Sequence, residues 1–204
     1  ANEGVLFDLP GQSAQLKATY CVNAAGLNAV DLFKGIKGYP QMTLPKAYYA
    51  KGSYFSYTAK TPFLHLIYPI PEPGGLGIHL TLDMAGAAKF GPDVEWLDNS
   101  LEESKSPLAD RFDYAVEPKK SKDFALAISQ YWPSIDESKL IAAYAGVRPK
   151  VSAPNESAGD FIIQGENEHG IKGLVNLLGI ESPGLTASLA IADQVLELLV
   201  VKLN

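Results

Sequence analysis

The sequence predicts an α+β fold, in which strands and helices alternate at both ends of the chain and flank a β-rich central part. At both ends, apolar segments with strand character, at residues 15–23 and 173–178, are followed by helical patterns. Residues 35–115 carry aromatic and β-branched residues in partial alternation, broken by Pro and Gly, which is typical of strands. The 204 residues, 47% of them hydrophobic, suffice for one large or two small domains.

The predicted elements follow from these local patterns. Strands are predicted at 5–9, 15–23, 48–58, 63–70, 76–82, 87–91, 140–146, 161–164 and 173–178. Helices are predicted at 28–33, at 121–132 and from Pro183 towards the C-terminus. The strands at 76–82 and 87–91 read as a hairpin in which Gly86 takes the backbone angle that other residues avoid. Phe124, Ile128 and Tyr131 share one face of the second helix, and Pro133 ends that pattern.

The segment 179–191 is predicted to be a tight turn that leads directly into a helix. Ser182 is a suitable N-cap and Pro183 a suitable first helical residue, and Gly184 allows a ligand to approach the backbone. Such a helix start offers the N–H groups of residues such as Leu185 and Thr186 to an electron-rich group. An ordinary well-capped helix explains the pattern equally simply. Apolar residues recur along it at helical spacing: Leu185, Leu189, Ala192, Leu196 and Leu199.

Composition excludes several classes of function. The net charge is −6 and no basic cluster exceeds Lys119, Lys120 and Lys122, which argues against nucleic-acid binding. No apolar run approaches the roughly 18 residues of a membrane span. The single cysteine, Cys21, rules out an internal disulfide and is expected to be a buried strand residue. Since no signal peptide is seen either, the expected location is the cytoplasm.

Two residues stand out as candidates for chemistry on a substrate. In a strand, His79 and Thr81 face the side opposite to Leu80, so the imidazole can take a proton from a substrate hydroxyl. Arg148, between Val147 and Pro149, can bind a carboxylate through its planar fork. A hydrogen-bonded structural histidine and a surface arginine are the alternatives.

Weaker candidates surround these two. Small residues at 24–26, Ala24, Ala25 and Gly26, allow a ligand close to the backbone, or simply form a strand-to-helix turn. Lys51 is either directed to a pocket or solvated, and Tyr68 either lines a substrate site or packs in the core. His65 is expected to be structural within a strand and His169 to lie in a turn, and three histidines so far apart give no metal-ligand spacing.

The segments 23–26, 68–81, 145–149 and 179–191 together resemble the FAD-dependent oxidoreductases of the D-amino-acid oxidase superfamily, and within it the L-2-hydroxyglutarate dehydrogenase/oxidase-like branch. The resemblance covers nearly the whole chain but corresponds to the C-terminal half of such an enzyme. It implies FAD as cofactor, with Ala24–Gly26 and the residues from Ser182 to Thr186 beside it. It also implies His79 as the base, and Arg148, with Lys51 and Tyr68, in the substrate pocket.

The resemblance further implies how the chain is divided. Residues 1–34 and 155–204 correspond to the C-terminal portion of the FAD-binding domain, and 35–154 to a substrate domain built on a mainly antiparallel sheet with helices. The N-terminal segment with the dinucleotide-binding fingerprint G-x-G-x-x-G is absent from this chain, since Gly74, Gly75 and Gly77 lack its spacing and precede a strand. On its own, the chain is expected to bind FAD weakly and to be inactive.

The expected reaction transfers a hydride from a small 2-hydroxy carboxylate to the flavin, which O₂ or a quinone then reoxidises. Two alternatives remain open. An amino-acid or amine oxidase of the same superfamily removes hydride from a neutral amine and needs no strong base. A non-catalytic domain would instead use the aromatic strands to bind a ligand or another protein.

Overall fold

A computed structural model describes residues 4–8, 11, 13–34, 36–70, 77–98, 108–157 and 159–200. The chain forms two compact units. The first, here the terminal unit, contains Ala1–Ala47, Pro149–Ser152 and Gly159–Asn204. The second, here the central unit, contains Tyr48–Arg148 and Ala153–Ala158.

Helices and strands are mixed, which confirms the predicted α+β class. The strands are β1 (Val5–Asp8), β2 (Gln15–Ala18), β3 (Cys21–Asn23), β4 (Tyr48–Tyr57), β5 (His79–Leu82), β6 (Ala88–Gly91), β7 (Glu95–Trp96), β8 (Leu140–Lys150), β9 (Ile162–Gln164) and β10 (Leu174–Leu178). The α-helices are α1 (Ala29–Lys34), α2 (Ser121–Ser129), α3 (Glu166–His169) and α4 (Ser188–Val200). Among the described helices, none has the length and apolar character needed to cross a membrane.

The terminal unit contains two small sheets. β1 and β2 form an antiparallel pair, and β10 lies between β3, to which it is parallel, and β9, to which it is antiparallel. Phe33 from α1, Tyr39 and Leu174 form a buried cluster beside the three-stranded sheet. The parallel pairing of β3 and β10 brings the carboxyl end of β3, where residues 24–26 follow, to the same edge as the end of β10.

The central unit is a five-stranded sheet with one face packed on α2. The strand order is β5-β6-β4-β7, and β8 also pairs with β4. Phe124 and Ile128 of α2 pack with one face of the sheet, as the spacing predicted. The buried cluster that they form also contains Phe55, Tyr57, Leu80, Ala88, Phe90, Trp132 and Leu140. Because side chains alternate along a strand, His79, Lys89 and Tyr54 project from the opposite face, here called the open face.

The structure corrects several predicted elements. The strand expected at 15–23 is two strands, because β2 pairs with β1 whereas β3 pairs with β10 in a separate sheet. The chain bends between them at residues 19–20, where the carbonyl of Thr19 lies against Gly173. The strand expected at 63–70 is reduced to a single bridge between Ile67 and Leu80, and His65 is exposed and outside any strand. The strand predicted at 140–146 continues to Lys150.

The hairpin at Gly86 is confirmed. Gly86 has a φ of 78°, where side chains are disfavoured, and the Asp83 carboxylate accepts hydrogen bonds from the N–H groups of Ala85 and Ala87, both at 2.9 Å. β5 and β6 therefore meet in the register that sets His79 opposite Gly91.

Candidate functional site

The open face of the central unit holds an aromatic-imidazole pair. His79 begins β5, and its ring stacks on Tyr68 with centroids 4.1 Å apart and planes 26° apart. Tyr68 is 62% exposed, so it is not part of the core. The contact orients the imidazole along a flat, solvent-accessible aromatic surface, which suits a group that meets a ligand.

A glycine allows the neighbouring strands to contribute to the same face. Gly91, opposite His79 on β6, has a φ of 136°. A β-carbon at this position would lie 2.6 Å from the Ser53 carbonyl oxygen and 2.8 Å from Cδ1 of Tyr54. The Tyr54 ring thus lies directly beside Gly91. His79 is the register partner of Gly91 on β5, so no side chain at that position of β6 separates Tyr54 from His79.

Arg148 joins this face through Tyr54. The Tyr54 and Tyr144 rings stack with centroids 4.6 Å apart and planes 15° apart. The Arg148 guanidinium donates a hydrogen bond to the Tyr54 phenol oxygen. Burial raises the pKa of Tyr54, and the adjacent Arg148 charge opposes that rise. The phenol is therefore neutral near pH 7, so it orients the guanidinium without neutralising it.

The structure does not bring Lys51 to this group. Lys51 alternates with Tyr54 along β4 and lies on the opposite face of the strand. Its side chain is buried, and its ammonium donates a hydrogen bond of 2.6 Å to the carbonyl of Ala115. It lines a separate cavity of about 230 Å³ together with Glu95, Arg111 and Phe112. Lys51 thereby holds the segment around Ala115 against the sheet.

In the terminal unit, residues 24–26 form an exposed loop at the carboxyl end of β3. The buried Asn23 shapes this loop, because its side-chain oxygen accepts a hydrogen bond from the Ala25 N–H at 3.1 Å and its amide donates to the Ala29 carbonyl at 2.9 Å. Gly26 has a φ of 57°, and a β-carbon there would meet no atom within 4 Å. The loop therefore presents small side chains and open space.

The predicted start of the last helix, at Pro183, is wrong by five residues. The Ser182-Pro183 peptide bond is cis, residues 182–187 form consecutive turns, and α4 begins only at Ser188. Ser182 is therefore not the N-cap, and Pro183 is not the first helical residue. The proline carbonyl accepts a hydrogen bond from the Ala187 N–H at 3.0 Å, which closes the first turn.

Gly184 is also required by the turn itself, and its predicted role beside a ligand stays a prediction. It is buried, and a β-carbon would lie 2.6 Å from both the Glu181 carbonyl oxygen and the Ile180 side chain. Glycine is needed for the turn to close on itself. The turn is also tied down by an ion pair between Glu181 and Lys150, with a nitrogen–oxygen distance of 2.5 Å.

The turn nevertheless offers donors to a ligand. Leu185 and Thr186 are exposed, and within the described part of the chain their N–H groups have no acceptor at hydrogen-bond distance. Two adjacent backbone donors before a helix of 13 residues suit an electron-rich oxygen or a developing negative charge.

Sequence reasoning missed a buried polar ladder in the same unit. Asn23, Asn176 and Gln164 are register partners across β3, β10 and β9. The Asn23 amide donates to the Asn176 oxygen at 2.6 Å, and the Asn176 amide lies 3.4 Å from the Gln164 oxygen. Amide residues within short apolar strands were the available signal, since such residues are buried only when their hydrogen bonds are satisfied.

His169 was predicted to lie in a turn, but it ends the short helix α3 and is only 4% exposed. Its Nδ1 accepts a hydrogen bond from the Ile171 N–H at 3.1 Å, and its ring lies 5.5 Å from that of Tyr39. Burial lowers the pKa of His169 below its ordinary value. A neutral, buried imidazole of this kind supports the packing of α3 and β10.

Comparisons with known proteins identify a family profile and several relatives that match this chain. The profile of the family described as FAD dependent oxidoreductase (DAO) matches residues 3–198. The mitochondrial L-2-hydroxyglutarate dehydrogenase of Arabidopsis thaliana is 48% identical over 176 residues, which are 85% of this chain and 36% of that protein. Glycerol 3-phosphate dehydrogenase of Caloramator mitchellensis is 27% identical over 182 residues, which are 88% of this chain and 33% of that protein.

Among solved structures, dithionite-reduced L-α-glycerophosphate oxidase of Mycoplasma pneumoniae with FAD bound shares the fold. The TM-score is 0.70 at 22% identity, and the match covers 93% of this chain and 45% of that one. The chain spans about a third of the length of the two curated relatives and just under half of this structure.

Proposed function

This chain belongs to the DAO family of FAD-dependent oxidoreductases, and we propose that it forms part of an enzyme that oxidises a small 2-hydroxy acid of the L-2-hydroxyglutarate type. The observation that carries the proposal is the open face, where a guanidinium held by Tyr54 and an imidazole stacked on Tyr68 lie on strands of one sheet. The 48% identity to a protein named L-2-hydroxyglutarate dehydrogenase supports the choice of substrate.

In this proposal each residue has one task. The Arg148 fork binds the carboxylate of the substrate next to the carbon that is oxidised, and so orients that carbon. His79 accepts the proton of the substrate hydroxyl, since the unprotonated nitrogen of a neutral imidazole is a suitable general base. Tyr68 lines the pocket and keeps the imidazole in place. The role of Lys51 as a substrate ligand stays a prediction, and its hydrogen bond to the Ala115 carbonyl favours a structural role.

FAD, when bound, supplies the hydride acceptor. We propose that residues 24–26 and the turn from Ser182 to Thr186 contact it. The donors of Leu185 and Thr186 suit its carbonyl edge, and Gly26 leaves room for it to approach the backbone. Since the chain spans a third of its curated relatives and lacks the G-x-G-x-x-G fingerprint, we propose that a longer polypeptide supplies the remaining contacts.

The first test is a visible absorption spectrum of the longer polypeptide, followed by anaerobic addition of L-2-hydroxyglutarate. We expect flavin bands that bleach on addition. Bands that bleach with glycine or another amine, but not with the hydroxy acid, would establish the amine-oxidase alternative instead. A preparation without flavin, even after FAD is added, would favour the non-catalytic alternative and overturn the proposal.

Variants then test the assigned roles. Arg148→Ala is expected to raise KM for the hydroxy acid by about 10- to 100-fold, the value of a charge-assisted hydrogen bond, whereas Arg111→Ala on the same unit serves as the control. His79→Gln is expected to lower kcat by about 100-fold or more while KM changes little, with the exposed His65→Gln as its control. A His79→Gln enzyme with normal kcat would exclude His79 as the base.

The electron acceptor and the location are part of the same proposal. O₂ or a quinone would reoxidise the flavin, and stopped-flow mixing of the reduced enzyme with each distinguishes them. The cytoplasm remains our prediction, although the Arabidopsis relative is named as mitochondrial. Fractionation of cells that express the longer polypeptide tests it.

A further inference from the structure

The open face carries a second cation, Lys89. It lies on β6 between Ala88 and Phe90, which are both buried in the cluster beneath α2, so its side chain projects from the face that holds His79 and Tyr54. Its ammonium nitrogen lies 5.7 Å from the centroid of the Tyr144 ring, which is a cation–π contact. Among the described residues, no carboxylate lies within ion-pair distance of it.

One stacked pair of tyrosines therefore holds two cations. Tyr54 accepts a hydrogen bond from Arg148, and Tyr144, stacked on Tyr54 at 4.6 Å, contacts Lys89. The ring contact leaves the three N–H donors of the lysine available, because a ring face is a weak acceptor. A ligand with two separate negative groups suits a face that carries two such cations.

We infer that Lys89 is a specificity-determining residue, which binds the second carboxylate of a dicarboxylic 2-hydroxy acid while Arg148 binds the first. The inference rests on the proposed function, since it assigns the distal end of the same substrate. A monocarboxylic 2-hydroxy acid would leave the Lys89 ammonium without an anionic partner, and so would bind less well by the value of one charge-assisted hydrogen bond.

Tyr54 is the positioning residue in this arrangement. Its hydroxyl orients Arg148, and its ring supports Tyr144 and thus Lys89. Tyr54→Phe keeps the stacked rings but removes the hydroxyl. It should therefore weaken binding of every 2-hydroxy acid to the same extent, whereas a change at Lys89 should affect dicarboxylic acids alone.

The experiment compares two substrates in the flavin-loaded longer polypeptide: L-2-hydroxyglutarate and L-2-hydroxypentanoate, which has the same number of carbons but no distal carboxylate. In Lys89→Met we expect kcat/KM for the dicarboxylic acid to fall by about 10- to 100-fold. We expect kcat/KM for the monocarboxylic acid to stay within about twofold of the wild type. Lys89→Arg should retain most of the preference for the dicarboxylic acid. Lys122→Met, at an exposed position on α2, should have the same kcat/KM as the wild type for both acids.

The outcomes separate this inference from the function on which it rests. A wild-type enzyme that oxidises neither acid would refute the proposed function, and the role of Lys89 with it. A wild-type enzyme that prefers the dicarboxylic acid, with Lys89→Met equally active on it, would refute the role of Lys89 alone. Equal losses on both acids in a Lys89→Met protein of unchanged thermal stability would show a general effect on the pocket and would likewise overturn the inference.

Discussion

At the scale of single residues, the open face depends on which side chains are absent as much as on which are present. Gly91 lets the Tyr54 ring lie directly on the backbone of β6, opposite the position of His79. Any larger residue would collide with Ser53 and Tyr54 and would also be strained at a φ of 136°. The position of the Tyr54 ring thus follows from one glycine in a neighbouring strand.

His169 makes the stability of the terminal unit depend on pH. Burial holds its pKa in the folded state below the ordinary value of 6.5, so the unfolded chain binds more protons as the pH falls through that value. The stabilising contribution of the neutral imidazole is therefore complete above 6.5 and is lost as the pH is lowered towards the folded-state pKa.

We predict that the urea midpoint of the wild type decreases as the pH is lowered from about 7.5 to about 5.5. The urea midpoint of His169→Gln should decrease less over the same range. The exposed His65→Gln serves as the control and should keep the slope of the wild type. An unchanged slope in His169→Gln would show that other groups cause the pH dependence.

At the scale of elements, the amide ladder joins three short strands that have little apolar area of their own. Asn176, at the centre of the ladder, is fully buried and also donates to the Tyr39 hydroxyl at 3.3 Å. Because these strands have only three to five residues, the side-chain hydrogen bonds of the ladder are a sizeable addition to the backbone bonds that pair them.

Asn176→Ala is expected to lower the free energy of unfolding of the terminal unit by at least about 2 kcal/mol, because it leaves the Asn23 amide without its side-chain acceptor in a buried place. Asn28 is exposed, and Asn28→Ala should change the free energy of unfolding by less than about 0.5 kcal/mol. Urea unfolding monitored by circular dichroism measures both. Equal effects would mean that the ladder adds no stability.

The two faces of α2 provide a matched comparison in the central unit. Phe124 is 1% exposed and lies 4.6 Å from the Phe55 ring, whereas Leu126 on the same helix is 71% exposed. We predict that Phe124→Ala costs about 3–5 kcal/mol and Leu126→Ala less than about 0.5 kcal/mol. Thermal or urea unfolding tests this, and a large cost at Leu126 would contradict the assigned face.

At the scale of the whole molecule, two units carry the two halves of the proposed chemistry. The open face with His79 and Arg148 belongs to the central unit, and residues 24–26 and 182–186 belong to the terminal unit. Leu185, Leu189 and Leu196, which the spacing marked as an apolar stripe, are all exposed, whereas Ile191 of α4 is buried.

The 204-residue chain alone is predicted not to retain FAD through gel filtration, whereas the longer polypeptide is predicted to elute with flavin. The physical reason is that the contacts with the pyrophosphate, which a G-x-G-x-x-G turn provides, are missing from this sequence. The ratio of flavin to protein in the eluted peak is the measurement. A chain that elutes with one flavin per protein would show that residues 24–26 and 182–186 suffice.

Local patterns were enough to predict most elements. The alternation around His79 predicted both the strand and the face of the imidazole, and the spacing of Phe124 and Ile128 predicted the buried side of α2. Predictions failed where distant parts of the chain decide the local conformation. The carbonyl of Thr19 meets Gly173, more than 150 residues away, and among the residues that the structure describes the segment 63–70 forms a single bridge, to Leu80.

The sequence by itself determined the α+β class, the family and the two polar side chains that we assign to the reaction, because periodicity and short motifs are local properties of the chain. Only the tertiary structure decided that Tyr54 holds Arg148, that Lys89 lies over Tyr144 and that α4 begins at Ser188. These features depend on strand register and on how a turn closes, and both are set by contacts between residues far apart in the chain.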